Sequence, residues 1–335
     1  MSDFRVALIG AGRIAQAYMS AYRSLPGVRL VGVVDVQDGA ARATAEAHGC
    51  PAFPSHQRLF EAVGVDAVTV CTPPSTHYPI AVEALEAGVH VLCEKPLAFH
   101  EEEVRRMIAT ARRAGKILMM ASKFRYVRDV ATARSIIRAG VLGTVVRYEN
   151  TFASWLDVAN RWNSDRAISG GGVLIDNGTH CADVMRYLID PVKRVFACQG
   201  PRIQPIAVED SAHVLAESTG GVVGTFDVSW SMGKERASFI EVFGTEGVLA
   251  VGWKESRYRQ YRSTSWDVYG TGYDKQKAFE AQVANFVGAC RGYEQPLVDS
   301  EDALASVLVI EAAYASLAAE TWVEVKPCVL EKHGG

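Results

Sequence analysis

The first 122 residues alternate short apolar runs with helical patterns, and this rhythm restricts the fold more than any other feature of the sequence. Five runs are nearly continuous in apolar character, as expected of parallel strands buried on both faces. We predict strands over Phe4–Ile9, Arg29–Asp35, Ala67–Cys71, Val89–Cys93 and Ile117–Ala121, and helices over Ile14–Leu25, Gly39–His48, Thr76–Ala87 and Glu101–Ala114. This repetition predicts a doubly wound α/β sheet with right-handed crossovers.

The rhythm changes beyond about residue 125, where runs rich in β-branched and aromatic residues follow one another with glycine turns between them. We predict helices over Val130–Ala139 and at about 173–189, 274–290 and 301–319. The predicted strands are Val145–Phe152, Val192–Cys198, His213–Glu217, Val222–Trp230, Ser238–Phe243 and Arg257–Arg262. At ~150 residues per domain, 335 residues suit two domains. We place them at 1–122 and 123–330, the second an α+β domain with a mostly antiparallel sheet.

Composition excludes several classes of protein. The formal net charge is −3, so no basic excess points to nucleic acid or to an anionic membrane surface. The seven cysteines are scattered without a C-x-x-C pair, and the histidines form no ligand cluster, so we expect reduced thiols and no metal site. The apolar run at 6–9 is too short for a signal peptide, and the apolar segment Ala303–Ala319 contains Glu311 and falls short of a membrane span. We expect a cytoplasmic protein.

A glycine-rich turn, Gly10–Ala15, joins the first predicted strand to the first helix with the pattern G-x-G-x-x-A. The first glycine permits the tight turn, the second lets the backbone approach a pyrophosphate, and the small third residue allows close packing of helix on strand. Asp35 ends the second strand 23 positions after Gly12, where its carboxylate can accept hydrogen bonds from ribose hydroxyls. The pattern predicts a dinucleotide site; the simpler alternative is a glycine-rich turn without a ligand.

Asp35 also predicts which dinucleotide is preferred. A carboxylate that accepts from the ribose 2′-hydroxyl repels a 2′-phosphate, and no arginine follows it, because positions 36 and 37 are Val and Gln. We therefore expect NAD as the cofactor, with NADP less favoured.

Lys95 lies in the segment Cys93-Glu94-Lys95-Pro96, at the carboxyl end of a predicted strand. Open α/β sheets bind their ligands at this edge, and Pro96 fixes the backbone directly after the lysine. Lys95 is then either a cation aimed into the cleft or a solvated surface charge.

A second informative stretch runs from Gly170 to Asp183. If a helix begins near Asp176, then Asp176, His180 and Asp183 lie on one face, and an imidazole beside a carboxylate is a proton-transfer unit. The alternative is a partly exposed helix face with an ion pair. The three glycines at 170–172 predict close packing of the backbone, against the protein or a ligand.

Together these motifs resemble the glucose–fructose oxidoreductase / inositol dehydrogenase / rhizopine catabolism (Gfo/Idh/MocA) family over essentially the whole chain. The resemblance is carried by Gly10-x-Gly12-x-x-Ala15, Thr72-Pro73-x-x-x-His77, Glu94-Lys95-Pro96, and Gly-Gly-Gly followed by Asp176-x-Gly178-x-His180. It implies an N-terminal Rossmann domain and a C-terminal domain whose open sheet makes contacts in a homodimer or homotetramer.

The resemblance also implies that Lys95, Asp176 and His180 are the catalytic set. His180 would take the proton from a secondary hydroxyl while the carbinol hydrogen leaves as hydride to nicotinamide. Lys95 would stabilise the developing alkoxide, and Asp176 would position the substrate and His180. Members of the family differ over whether the lysine or the histidine moves the proton, so both assignments stay open here.

The motifs and the resemblance together give two sets of expected binding residues. The expected cofactor-binding residues are Gly10, Gly12, Arg13, Ile14, Asp35, Thr72, Pro73, His77, Glu94 and Lys95. The expected substrate-binding residues are Lys95, Arg125, Tyr126, Arg161, Trp162, Asp176 and His180. For His77 the alternative is an ordinary helix-start residue, and for Trp162 a core or interface residue.

These observations predict an NAD-dependent oxidoreductase that interconverts a secondary ring hydroxyl and a ketone on a sugar, aminosugar or cyclitol. Two alternatives are a non-catalytic sensor of a dinucleotide or sugar with the same fold, and an NAD-dependent glycosidase. The segment expected near the cleft carries more carboxylates than guanidinium groups, which ranks neutral or amino-bearing polyols above nucleotide sugars. The residues counted are Glu149, Asp157, Asp165, Asp176 and Asp183 against Arg147, Arg161 and Arg166.

Overall fold

The computed structural model describes residues 3–330, which divide into two compact units. The first unit contains the chain up to Lys123 together with Lys275–Ala303, and the second contains Phe124–Asp274 and the chain from Leu304 onward. The two-domain prediction placed all of 123–330 in the second domain. The structure instead assigns residues 275–303 to the first unit.

The first unit is built around a six-stranded parallel sheet. Its strands are β1 (Phe4–Ile9), β2 (Val28–Val34), β3 (Ala52–Phe53), β4 (Ala67–Val70), β5 (His90–Glu94) and β6 (Leu118–Ala121). Its first five helices are α1 (Ala15–Arg23), α2 (Asp38–His48), α3 (His56–Ala62), α4 (His77–Glu86) and α5 (Glu101–Ala114). The strand order β3-β2-β1-β4-β5-β6 confirms the predicted doubly wound sheet and reverses direction between β1 and β4.

The residues at the ends of these elements explain their bounds. Helix α5 begins at a capping box between His100 and Glu103 and ends at Gly115, which has a left-handed φ of 62°. The sequence analysis missed β3, which has only two residues, and α3, a seven-residue helix capped by the Ser55 side chain. Neither element is long enough to show a clear hydrophobic period.

The second unit is built around a nine-stranded sheet. The remaining α-helices within residues 3–330 are α6 (Arg128–Arg138), α7 (Arg166–Ser169), α8 (Thr179–Leu188), α9 (Lys275–Cys290) and α10 (Ser300–Ala319). The strands are β7 (Val145–Ala153), β8 (Val192–Cys198), β9 (Ser211–Ser218), β10 (Val223–Ser229), β11 (Ser238–Gly244), β12 (Gly247–Gly252), β13 (Ser256–Gln260), β14 (Asp267–Gly270) and β15 (Val323–Glu324).

This second sheet has the order β14-β13-β12-β11-β7-β10-β9-β8-β15. Its pairs are antiparallel except for β10 with β7, which confirms the mostly antiparallel open sheet. The sequence analysis missed β12, all six residues of which are buried, because the flanking glycines read as a turn. It also missed the short strands β14 and β15.

Helix α9 belongs to the first unit because its side chains pack on α1. The Phe279 ring meets the Tyr18 ring edge-on, with centroids 4.9 Å apart. Gln276 Nε2 donates a hydrogen bond to Ser20 Oγ at 3.1 Å. The apolar face of a helix does not show which sheet or helix it covers. The sequence therefore could not show that residues 275–303 pack with the first unit.

Helix α10 is three residues longer than the apolar segment taken from the sequence, and by length and composition it could span a membrane. However, 61% of its most apolar window is buried within the protein, as in the core helix of a globular domain. The prediction that this segment is too short to span a membrane is therefore wrong about its length, because the helix begins at Ser300 and not at Ala303.

His90 gives a prediction about acid stability. Its Nδ1 accepts a hydrogen bond from the Ile117 amide at 2.9 Å, which requires a neutral ring nitrogen, and burial lowers the pKa of His90 to about 4. Unfolded His has a pKa of ~6.5, so the unfolded chain binds this proton first and folding loses stability as pH falls from about 6.5 towards 4.

We expect the free energy of unfolding to fall by about 1 kcal/mol more between pH 7 and pH 5 in the wild type than in His90→Asn, after allowance for the partial exposure of the ring. Urea denaturation at the two pH values measures the difference. Equal losses in both proteins would contradict the assignment.

Candidate functional site

The glycine-rich turn after β1 is shaped by its contact with the end of β4. Gly10 has a φ of +98°, and a Cβ at this position would lie 2.7 Å from the carbonyl carbon of Cys71. Only glycine fits there. A Cβ added to Gly12 would instead have no atom within 4 Å, so this side of the turn faces open space. Ile14 occupies the N-cap of α1 and Arg13 is exposed, so the open side adjoins a helix N-terminus, as a pyrophosphate site requires.

Asp35 ties the turn to the end of β2. Its Oδ2 accepts the Ala11 amide at 2.8 Å and its Oδ1 accepts the Gln37 amide at 2.8 Å. Each carboxylate oxygen has two lone pairs, so both can still accept a hydrogen bond from a ribose hydroxyl. The next side chain, Val36, is 94% exposed and offers apolar surface beside the carboxylate. From the sequence, Val36 showed only that no arginine follows Asp35. Its position directly after the acidic residue was the one sign that its side chain could lie beside the carboxylate.

His77 lies between the loops that follow β4 and β5. Its ring is buried, with Nδ1 2.8 Å from the Pro96 carbonyl oxygen and Nε2 2.8 Å from the Thr72 carbonyl oxygen. Burial lowers the pKa of His77, and the two carbonyl contacts oppose that shift. Thr76 Oγ1 also donates to the Pro73 carbonyl at 2.8 Å. His77 therefore joins the Thr72-Pro73 loop to Pro96, while direct contact of these residues with a cofactor stays a prediction.

Glu94 is held from two sides at the end of β5. The Tyr18 hydroxyl on α1 donates to Glu94 Oε1 at 2.6 Å, and the Lys95 amide donates to Glu94 Oε2 at 3.2 Å. Gln282 on α9 donates its Nε2 hydrogen to the Tyr18 hydroxyl at 3.2 Å. The sequence analysis missed Tyr18 and Gln282, which lie far from the Glu94-Lys95-Pro96 motif and carry no local signal.

The second unit places Asp176 and His180 on different kinds of helix. Asp176 lies in a π-helical segment, Leu174–Gly178, and His180 lies in the first turn of α8. The segment from Asp176 to His180 is thus not one regular α-helix as the sequence led us to expect, and the common face of Asp176, His180 and Asp183 stays a prediction. Such π-helical segments are frequent at functional sites.

Aromatic side chains surround His180. The Phe124 ring meets the imidazole edge-on with centroids 4.9 Å apart, and Phe152 lies 6.3 Å away in a similar orientation. Three more rings continue this cluster: Phe239, Trp253 and Tyr273. The sequence analysis missed the cluster because its members come from separate elements of the chain. The aromatic cluster provides an apolar surface beside the His180 imidazole.

Arg125 and Asp183 form a buried ion pair. Arg125 Nη2 lies 2.7 Å from Asp183 Oδ1, and Arg125 Nε donates to Asp183 Oδ2 at 3.0 Å, with side chains 4% and 0% exposed. The guanidinium also lies 5.1 Å from the centroid of the Tyr187 ring. The pair fastens the turn at 123–126 to α8. Its burial favours a structural role for both residues, and the substrate-binding role of Arg125 stays a prediction.

Two of the three glycines, Gly171 and Gly172, pack against the protein itself. Glu209 Oε1 accepts the Gly172 amide at 2.9 Å, the Leu174 amide at 3.1 Å and the Tyr314 hydroxyl at 2.8 Å. A Cβ on Gly171 would collide with the Tyr314 hydroxyl, and one on Gly172 with the Glu209 carbonyl. The close backbone packing predicted from the sequence is thus made at Gly171 and Gly172 against residues of the second unit.

The other expected substrate residues lie at the surface of the second unit. Tyr126 is partly exposed, Arg161 is exposed, and Trp162 is 43% exposed at the start of a short 3-10 helix, Trp162–Ser164. Exposure leaves each of them available to a ligand, and their substrate role stays a prediction.

Comparison with known proteins shows two matching family models. The oxidoreductase family with NAD-binding Rossmann fold matches residues 4–122, and the GFO/IDH/MocA C-terminal domain matches residues 130–250. Rhizopine catabolism protein MocA of Rhizobium meliloti is 30% identical over 317 residues, which cover 93% of this chain and 95% of that protein. 1,5-anhydro-D-fructose reductase of Ensifer adhaerens is 30% identical over 329 residues, covering 94% and 98%.

Among solved structures, GenD2 from gentamicin A biosynthesis in complex with NAD has a TM-score of 0.87 and 27% identity, with 98% of this chain and 97% of that chain covered. The matches confirm that the first unit is an NAD-binding domain and that the chain is a dehydrogenase or reductase. The residues of the glycine-rich turn and Asp35 fit the pyrophosphate and ribose of that cofactor.

The two glycines of the turn should respond differently to a methyl group. Gly12→Ala adds a methyl group on the open side, so we expect a free energy of unfolding within about 0.5 kcal/mol of wild type but a dissociation constant for NADH raised about 10-fold or more. Gly10→Ala collides with the backbone of β4 and should destabilise the protein by about 2 kcal/mol or more.

NADH fluorescence titration and urea denaturation separate the two effects. Wild-type NADH affinity in Gly12→Ala would show that the pyrophosphate does not approach that side of the turn.

Proposed function

Because the chain belongs to the Gfo/Idh/MocA family of oxidoreductases, we propose that it uses NAD to interconvert a secondary ring hydroxyl and a ketone on a sugar, an aminosugar or a cyclitol. The observation that carries the proposal is the setting of Lys95. Its amide is held by Glu94 and the carbonyl of the next residue, Pro96, is held by His77, at the carboxyl edge of an NAD-binding sheet. A lysine whose backbone is held at this edge is suited to bring its ammonium group to a reacting oxygen and to stabilise negative charge there.

In the proposed mechanism, Lys95 Nζ donates a hydrogen bond to the substrate oxygen and stabilises the alkoxide that forms as the hydroxyl proton leaves. A nitrogen of the His180 imidazole takes that proton while the carbinol C–H bond breaks. Asp176 positions the substrate and His180. Bound NAD supplies the hydride acceptor. Reduction reverses each transfer, with protonated His180 returning the proton to the oxygen.

The alternative, in which Lys95 moves the proton, has a different pH dependence. A histidine base in solution titrates near pH 6.5 and a lysine near 10.4. If His180 is the base, the acidic limb of the profile of kcat/KM for oxidation should disappear in His180→Ala and persist in Lys95→Ala.

The local ion pairs refine the charge argument about the substrate. Glu149 is paired with Arg147 at 2.7 Å, and Asp183 is paired with Arg125, so neither carboxylate is available to a ligand. Asp157 and Asp165 each accept a hydrogen bond from a backbone amide two residues further on, and Arg161 and Arg166 are exposed. Pairing within the protein therefore removes much of the carboxylate excess counted from the sequence, and the preference for neutral or amino-bearing polyols over nucleotide sugars depends more on the relatives.

The names of the relatives support the same class. One acts on an anhydro sugar, one takes part in rhizopine catabolism and one in gentamicin A biosynthesis. That relatives are dehydrogenases and reductases counts against the alternative of a non-catalytic sensor. The homodimer or homotetramer and the cytoplasmic location expected from the sequence stay predictions.

A substrate panel tests the proposal. Inositols, free sugars, aminosugars and nucleotide sugars are offered with NAD and with NADP, and the absorbance of the reduced cofactor is followed. We expect turnover of a neutral or amino-bearing polyol, with kcat/KM at least about 10-fold higher with NAD because of Asp35. Turnover restricted to nucleotide sugars would overturn the substrate class. Release of free sugar from a glycoside without added NAD would identify a glycosidase.

Variants of the two proposed catalytic residues give the next prediction. Lys95→Ala and His180→Ala should each lower kcat by about 100-fold or more, the usual contribution of an oxyanion partner or a general base, with the NADH dissociation constant within about twofold of wild type. Matched controls are Lys193→Ala and His213→Ala, which change exposed residues of the second sheet and should leave kcat unchanged. Near wild-type turnover in either test variant would remove that residue from the mechanism.

A further inference from the structure

We propose that Tyr18 and Gln282 are positioning residues for Lys95, acting through a buried chain of hydrogen bonds that passes through Glu94. This Gln282–Tyr18–Glu94 chain connects α9 and α1 to the end of β5 within the first unit. The proposal rests on the role of Lys95 in the proposed function, because it concerns how the backbone of that residue is held.

The chain has short links and is closed to solvent over most of its length. Gln282 Nε2 lies 3.2 Å from the Tyr18 hydroxyl, which lies 2.6 Å from Glu94 Oε1. Tyr18 and Gln282 are both fully buried. Water is therefore excluded from the Tyr18 hydroxyl and the Gln282 amide when a partner is removed, and a buried polar group without a partner is costly.

The chemistry of the three groups fixes the direction of each bond. An ionised Glu94 carboxylate only accepts hydrogen bonds, so the single Tyr18 hydroxyl hydrogen points to Glu94. Burial raises the pKa of Tyr18 well above its ordinary value, which keeps this hydrogen in place. The Tyr18 oxygen must then accept from the Gln282 amide. The two bonds orient one another, and the loss of either loosens Glu94.

The Glu94 carboxylate in turn holds the backbone amide of Lys95. Its second oxygen, Oε2, accepts the Lys95 amide at 3.2 Å, so the position of the carboxylate fixes the peptide plane from which the Lys95 side chain leaves. When Tyr18 lacks its hydroxyl, Glu94 loses the bond on its opposite oxygen and can rotate. The Lys95 amide then loses a fixed acceptor.

Tyr22 provides an internal comparison one turn further along α1. It is also buried, and its hydroxyl lies 2.6 Å from Thr69 Oγ1. Thr69 lies inside β4, and nothing on that bond leads to Glu94. Helix α1 thus carries two buried tyrosines whose hydroxyls make short hydrogen bonds. Tyr18 is connected to Lys95 through Glu94, and Tyr22 is bonded to Thr69 in β4.

The test compares Tyr18→Phe with Tyr22→Phe and with Gln282→Met. Four quantities are measured: the hydrogen exchange rate of the Lys95 amide by NMR of 15N-lysine-labelled protein, the NADH dissociation constant, and both kcat and KM on the substrate found in the panel. We expect Tyr18→Phe to speed exchange at Lys95 and to lower kcat, each about 10-fold, with KM and NADH affinity within about twofold. Gln282→Met should shift both in the same direction, about threefold.

Tyr22→Phe should lose similar stability but keep wild-type exchange at Lys95 and wild-type kcat. Equal effects of Tyr18→Phe and Tyr22→Phe, or unchanged exchange at Lys95 in Tyr18→Phe, would overturn the proposal. If Tyr18→Phe does not fold, unchanged exchange and kcat in Gln282→Met overturn it instead. Faster exchange at Lys95 in Tyr18→Phe would support the positioning of the Lys95 backbone by Tyr18. If Lys95→Ala also kept full turnover, the proposed catalytic role of Lys95 would be refuted while the positioning would stand.

Discussion

The first unit depends on the close approach of two backbones at the point where the order of its sheet reverses. Gly10, after β1, packs directly on Cys71 and Thr72, after β4, in a space where a Cβ does not fit. Because all six strands are parallel, the loops that follow them emerge at the same edge. The contact therefore forms the base of the crevice at this edge of the sheet. The loops after the other strands lie around it.

Three side chains then fasten the loops of this edge to one another. Asp35 holds the turn after β1 from the end of β2, and His77 holds the loop after β4 to Pro96. Tyr18, on the helix that the first turn opens, holds Glu94 at the end of β5. Of the three, His77 belongs to a motif that carries the family resemblance, and Asp35 belongs to the dinucleotide pattern. Both residues thus support the backbone of the site, in addition to any contact that they make with a ligand.

The sequence predicted the first sheet well because its strands are buried on both faces, which leaves an apolar run that no surface requirement interrupts. The bounds of β1 and α5 match the prediction residue for residue. Asp176 shows the limit of the same reasoning. The sequence predicts α-helical spacing between Asp176 and His180, whereas the backbone at 174–178 follows a π-helical pattern that residue types and spacing do not reveal.

Contacts between distant parts of the chain are the features that the sequence does not reveal. Arg125 and Asp183 are 58 positions apart, and Tyr18 and Gln282 are 264 apart, yet each pair is buried and specific. The family resemblance indicated Arg125 as a substrate-binding residue, and only the geometry shows that it is paired with Asp183. A charge count along a segment therefore overstates the field that a substrate meets, because the ion pairs that cancel charge are formed across the fold and not along the chain.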